Sequence, residues 1–347
     1  MSLVLFTSDI RAELIRLLEK CEAGQIFILM DENTSHDCLP VLNNDKITPE
    51  HLIVVPAGEN HKSLASVEMI WRRLSEQGAR RDALLINLGG GMVTDMGGFA
   101  ASCFKRGIKF INIPTTLLAQ IDASVGGKTG IDFNGLKNEI GTFSLPEAVI
   151  IAPCFLKTLP RRQLLSGFAE MLKHGLLSGG RHLRKLLTSR EIDTSDREFL
   201  CLVEESVNFK ERVVKTDPTE RGLRKILNFG HTVGHALESI AMREQAEFYH
   251  GDAVAYGIIA ELYLSVLKMG FSRDIYNRVR QFILDLYPEY TFSLSSELLY
   301  ERMLHDKKNQ GKGVNFTLLE DIGKPVIDNY CSREEIMTAL SVLPKTD

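Results

Sequence analysis

The sequence predicts an α/β fold in two parts, a parallel-sheet domain followed by a mainly α-helical domain. Three observations lead there. Short β-rich runs alternate with amphipathic stretches over the first 160 residues, a triple glycine follows one of those runs, and beyond Pro160 the apolar spacing becomes helical. At 347 residues the chain is long enough for two cores.

The strands expected in order are Leu3–Phe6, Ile26–Leu29, Leu52–Val55, Ala83–Leu88 and Ile108–Ile113. Ser8–Cys21 and Lys62–Gln77 carry apolar residues three and four apart, as helices between strands do. Such alternation packs helices on a parallel sheet and leaves the C-terminal strand ends to form a ligand crevice. "TLPRR" breaks the apolar pattern, which places a boundary at Leu159–Arg162 and domains at 1–160 and 161–347. After it come long helical patterns: "RQLLSGFAEMLKHGLL", "FLCLVEESVNFKERVV", "VGHALESIAM" and "HGDAVAYGIIAELYLSVLKMG". "VNFTLLEDIGKPVI" suggests a late hairpin.

Composition narrows the function. Hydrophobic residues make up 44% and charged residues 25%, an ordinary globular balance, and the net charge of −4 argues against a nucleic-acid partner. The six cysteines are scattered without a Cys-x-x-Cys pair, as in a reduced, cytoplasmic protein. No apolar run reaches the roughly 18 residues that span a bilayer, and no signal peptide is evident.

Four stretches carry chemistry. In "LLINLGGGMVTDMGGFAAS", Gly89, Gly90 and Gly91 join a strand to a helix, which suits a dinucleotide phosphate or, alternatively, a tight packing turn. "NIPTTLLAQIDASVGGKTGIDFNGLKNEIGTF" reads as a polar loop after a strand, with Thr115, Thr116, Asp122, Lys128, Lys137 and Asn138; its lysines suit anionic oxygens or are plain surface charges. Glu170 and Lys173, three apart, could form a helical ion pair, with His174 beside them. His231 and His235, four apart, could share one zinc ion with His250 as third ligand, or simply pack. No His-Glu-x-x-His occurs, which speaks against a zinc protease.

Taken in order, "GGGMVTDMGGFAAS", "IPTTLLAQIDASVGGKTGID", "LKNEIGTF", "TLPRRQLLSGFAEMLKHG", "LNFGHTVGHALE" and "HGDAVAYG" resemble the 3-dehydroquinate synthases, a family of sugar-phosphate cyclases, from about Gly58 to the late "DKKNQGKGVNFTLLEDIGKPV". The resemblance implies a Rossmann-like domain, a helical domain, an active site in the cleft between them, NAD, one divalent metal (zinc or cobalt) and a homodimer. The reaction it implies converts 3-deoxy-D-arabino-heptulosonate 7-phosphate to 3-dehydroquinate and phosphate, in the shikimate pathway. It runs through transient oxidation at C5, phosphate elimination, return of the hydride, ring opening and aldol closure, with no net redox change.

Residue by residue, the resemblance assigns Glu170, His231 and His250 to the metal. It assigns Glu59, Lys62, Gly90, Gly91, Asp95, Thr115, Thr116, Phe155 and Thr158 to NAD, with Lys128 and Lys137 at its edge. Asp122, Lys128, Lys173, Glu220 and His235 serve the reacting centre, and Lys137, Asn138, Lys210, Arg224 and Asn228 bind substrate. Arg106, from its own or the partner subunit, and Lys307 or Lys308 reach the phosphate. Ala152 and Gln163 depart from the acidic residues common in the family. Competing assignments are other sugar-phosphate cyclases, from which "GLKNEIG" and "RGLRKILN" discriminate, polyol dehydrogenases that release NADH, and a non-enzymatic scaffold.

Overall fold

The computed structural model describes residues 3–20, 23–42, 47–134, 136–189, 192–292, 294–304 and 313–344. The chain divides into two compact units, Met1–Pro160 and Arg161–Asp347.

Unit 1 runs β1 (Leu3–Phe6), α1 (Ile10–Lys20), β2 (Gln25–Asp31), α2 (Glu32–Asp37), α3 (Leu39–Leu42), β3 (Leu52–Val55), α4 (Leu64–Glu76), β4 (Ala83–Gly89), α5 (Gly91–Cys103), β5 (Lys109–Pro114), β6 (Lys128–Phe133), β7 (Leu136–Phe143) and β8 (Ala148–Ile151). Six strands form one sheet in the order β1-β8-β5-β4-β2-β3, and every pairing is parallel. The reason β4 is an unbroken apolar run is visible in its neighbours. Ala83 and Leu85 point into a core with Val67, Ile70 and Met96, while Leu84, Ile86 and Leu88 point into a second core with Leu14 and Ile113. A strand covered on both faces needs no polar alternation. Its one polar residue, Asn87, donates through Nδ2 to Asn112 Oδ1 on β5 at 2.9 Å.

The strand sequence expected in this part matches, apart from β8, which the sequence reading lacked. Four apolar residues, "AVII", are too short for periodicity to mark them, and only pairing between β1 and β5 makes them a strand. Residues 112–143 are also more ordered than the loop expected. They contain a π-helical turn, Ala119–Ala123, and an antiparallel β6–β7 hairpin, because Thr129 and Thr142 lock the two strands by side-chain hydrogen bonds.

Unit 2 runs α6 (Arg161–Ser178), α7 (Gly180–Thr188), α8 (Arg197–Thr216), a 3-10 turn (Leu223–Asn228), α9 (His231–Arg243), α10 (His250–Met269), α11 (Arg273–Leu286), α12 (Ser296–Leu304), the antiparallel pair β9 (Val314–Asp321) and β10 (Lys324–Cys331), and α13 (Arg333–Leu340). Every residue of α6 from Leu164 to Leu177 is buried, so this helix is the centre of the unit. The expected late hairpin is β9–β10; Leu319 N–H donates to Ser265 Oγ on α10, tying the hairpin to a second buried helix. No helix among the described residues is long and apolar enough to cross a membrane.

Helices α9 and α10 meet at unusually short range. A Cβ on Gly257 would lie 2.0 Å from the Gly230 carbonyl oxygen, and Gly230 itself has φ 80°, a left-handed conformation that favours glycine. Gly257→Ala is therefore expected to destabilise the protein by about 3 kcal/mol through forced separation of the two helices. Equilibrium urea unfolding of the variant checks this.

Candidate active site

Apart from Lys128 and Lys137, the cofactor candidates follow C-terminal ends of parallel strands. Glu59 and Lys62 come after β3, Gly90, Gly91 and Asp95 after β4, Thr115 and Thr116 after β5, Phe155 and Thr158 after β8. The chain reverses direction across the sheet between β2 and β4, which is where open parallel sheets bind ligands. Helix α5 starts at Gly91 behind Gly90, and no side chain caps it. Its first N–H groups can therefore receive a diphosphate. The packing meaning of the triple glycine applies at Gly89, where a Cβ would collide with Val93 at 2.6 Å. The Gly89 carbonyl also accepts Thr115 N–H at 3.0 Å, which holds the two strand ends together.

Lys62 is nearly fully buried. Its ammonium donates to Asp95 Oδ2 and to Asn138 Oδ1, each at 2.6 Å, with Glu59 Oε1 at 3.9 Å. Burial works against its charge, but Asp95 and then Glu59 outweigh burial and raise its pKa. Three of the sequence's candidates thus meet at one nitrogen. Asp122 lies in the π-helical turn, Lys128 opens β6 and Lys137 lies on β7. Arg106 is exposed in the turn after α5, with φ 69°.

In unit 2, Glu170 and Lys173 project from α6, with exposures of 0% and 1%. The two form an ion pair through Glu170 Oε2. The other oxygen, Oε1, lies 3.2 Å from His231 Nε2 and 3.4 Å from His250 Nε2. One oxygen of the carboxylate thus pairs with Lys173 and the other faces two imidazoles. Each histidine is the first residue of its helix, α9 or α10. Glu170 makes no hydrogen bond of normal geometry despite these short approaches.

That geometry fits a cation. Glu170, His231 and His250 offer ligand atoms within 4.8 Å of one another, a two-histidine, one-carboxylate set with room for further ligands. His235 stands outside the trio; its ring makes an edge contact with His231, centroids 5.3 Å apart. Helical spacing alone had paired His231 with His235, and the tertiary fold replaces the second by Glu170.

The electrostatics agree with this. Burial alone would raise Glu170, but Lys173 and then His231 hold its carboxyl well below the usual range. Burial and Lys173 push His231 down to about 4, so it stays neutral, the form that ligates. Burial opposes charge on His250 too, yet Glu238 and Glu170 prevail and push it up to about 10. The surroundings of His250 favour a positive charge between the carboxylates of Glu238 and Glu170.

Two supporting carboxylates escaped the sequence reading. Glu238 Oε2 lies 3.3 Å from His250 Nδ1. Buried Glu261, on α10, accepts Gly230 N–H at 2.6 Å and Val233 N–H at 3.0 Å, capping α9 in place of the missing N-cap side chain. The spacing of Glu238, seven residues after His231 and so on the same helical face, was the available signal.

The remaining candidates border this unit's polar loop. Asp217 organises it by accepting N–H groups of Arg221, Gly222 and Arg224. Arg224, buried, donates to Pro218 O, and Asn228 Nδ2 donates to Glu220 Oε1 at 3.0 Å. Glu220 has φ 60°, a left-handed conformation uncommon for a non-glycine residue. Lys210 is buried on α8. Lys307 and Lys308 lie outside the described residues.

The profile of the family described as 3-dehydroquinate synthase N-terminal matches residues 52–166, and that described as 3-dehydroquinate synthase C-terminal matches residues 167–309. A 3-dehydroquinate synthase from Parabacteroides distasonis is 47% identical over 340 residues, covering 97% of this chain and 96% of its own. One from Campylobacter concisus is 42% identical over 296 residues, covering 85% and 84%. The 2-epi-5-epi-valiolone synthase of Streptomyces hygroscopicus subsp. jinggangensis, solved with NAD+ and Zn2+ bound, superposes with a TM-score of 0.87 at 25% identity, covering 98% of this chain and 96% of its own. With both profiles matched along most of its length, the chain belongs to the 3-dehydroquinate synthase family.

Proposed function

We propose that this protein is a 3-dehydroquinate synthase, a lyase that converts 3-deoxy-D-arabino-heptulosonate 7-phosphate to 3-dehydroquinate and phosphate for aromatic biosynthesis. The observation that carries it is the convergence of Glu170, His231 and His250 in a chain whose halves match both profiles of one enzyme family. NAD and a divalent metal, zinc or cobalt, are its cofactors. When bound, they supply reversible hydride acceptance and polarisation of the C5 hydroxyl.

The chain's own residues do the rest. Glu170, His231 and His250 hold the ion, while Lys173 neutralises the second Glu170 oxygen so that the buried carboxylate stays ionised. Gly90, Gly91 and the start of α5 take the NAD diphosphate; Asp95, Glu59, Lys62, Thr115, Thr116, Phe155 and Thr158 complete that site. Lys128, Lys137, Asn138, Lys210, Arg224 and Asn228 bind the substrate's carboxylate and hydroxyl oxygens. Asp122, Glu220 and His235 orient the groups that exchange protons. Arg106 and one of Lys307 and Lys308 hold the phosphate so that its own oxygen can take the proton released at C6.

A domain division near residue 160 and a cytoplasmic homodimer belong to the same proposal. The described cysteines are all free thiols, as in a reducing compartment. Phe133, Leu136 and Phe143 are exposed along the β6–β7 hairpin, a surface suited to a second copy.

Three outcomes are expected. Purified protein with zinc and catalytic NAD releases phosphate from the heptulosonate phosphate while absorbance at the NADH band stays flat; NADH equal to product would point to the dehydrogenase class instead. His250→Ala loses zinc, measured by elemental analysis after dialysis, and lowers turnover by at least about a hundredfold, while its circular dichroism is unchanged. Zinc binding near neutral pH releases about one proton, because His250 is charged in the empty site and must ligate as the neutral ring, whereas His231 is already neutral. Affinity therefore rises with pH toward 10. Calorimetry in buffers of different ionisation enthalpy counts the proton.

A further inference from the structure

Lys62, Asp95 and Asn138 come from three separate segments, yet one residue outside that trio ties two of them together. Asp132, on β6, donates its backbone N–H to the Lys62 carbonyl at 2.9 Å. Its side-chain Oδ1 accepts the backbone N–H of Asn138 at 2.8 Å. The ring closes when Lys62 Nζ donates to Asn138 Oδ1 at 2.6 Å.

Asn138 needs such a restraint. Its φ is 50°, in the left-handed region that non-glycine residues enter at a cost, and it sits in the middle of a strand. The β6–β7 register also shifts between Ile131 and Phe133, at the position of Asp132. The bulge turns the Asp132 carboxylate toward the partner strand's backbone, a use typical of such irregularities beside functional sites.

We propose that Asp132 is a positioning residue: by holding the Asn138 N–H it sets the Asn138 side chain against Lys62, and so sets Lys62 against Asp95. The nucleotide-side pair Lys62–Asp95 and the substrate-side Asn138 are then adjusted as one group. This rests on the NAD and substrate assignments above. The role needs a hydrogen-bond acceptor and not a charge, so asparagine serves in place of aspartate and alanine does not.

The test compares Asp132→Ala and Asp132→Asn in the full chain. In ligand-free protein, amide hydrogen exchange of the peptide containing Asn138 accelerates about tenfold or more in Asp132→Ala and stays at the unaltered rate in Asp132→Asn. NAD+ affinity by titration calorimetry falls about tenfold in Asp132→Ala, and KM for the sugar phosphate rises more than kcat falls. Asp132→Asn stays within about twofold of the unaltered protein in both. Unchanged exchange in Asp132→Ala, or an Asp132→Asn variant as impaired as the alanine one, overturns the proposal, and matched melting temperatures separate positioning from general loss of fold. Failure of the unaltered protein to bind NAD+ sinks the nucleotide assignment, and the exchange rates still decide the role of Asp132.

Discussion

Glu170 is a carboxylate with no exposed surface. A charged group at 0% exposure costs several kcal/mol in desolvation unless its surroundings compensate. Lys173, one turn along the same helix, compensates one oxygen, and the imidazoles of His231 and His250 face the other. Because α6 is buried on all sides, these partners have to come from neighbouring helices, and each arrives as the first residue of α9 or α10. The positive ends of two helices are thereby turned toward a buried negative charge.

The rest of unit 2 follows from keeping those two helix starts in place. Gly257 and Gly230 let α10 and α9 approach until backbone meets backbone. Glu261 caps α9 from within α10, and Asp252 accepts the Tyr249 N–H at the head of α10 while pairing with Arg162. Glu238 presents a carboxylate to His250. These contacts form a second layer around the proposed ligand trio Glu170, His231 and His250, and such a layer fixes the rotamers of the side chains it touches.

Unit 1 solves a different problem. Its central strands are covered on both faces, which leaves no surface for chemistry except the strand ends. The proposed cofactor residues collect there in loops and first helical turns.

The parallel sheet, the helical second half and the late hairpin were legible in the sequence, because apolar periodicity reports which face of a local element is buried. The glycine turn after β4 and the ordered motifs were legible for the same reason: each lies within one contiguous stretch. β8 was not, since four apolar residues mean strand only beside β1 and β5. The grouping of Glu170 with His231 and His250, in preference to the pair His231 and His235, came from family resemblance and not from spacing. Glu261, Asp132 and Asp217 were invisible, because their partners are backbone N–H groups that carry no sequence signature. The sequence by itself determined the elements and the residue types available for chemistry. Only tertiary packing decided which distant side chains share one buried space, because that depends on helix approach distances and backbone direction that no local pattern encodes.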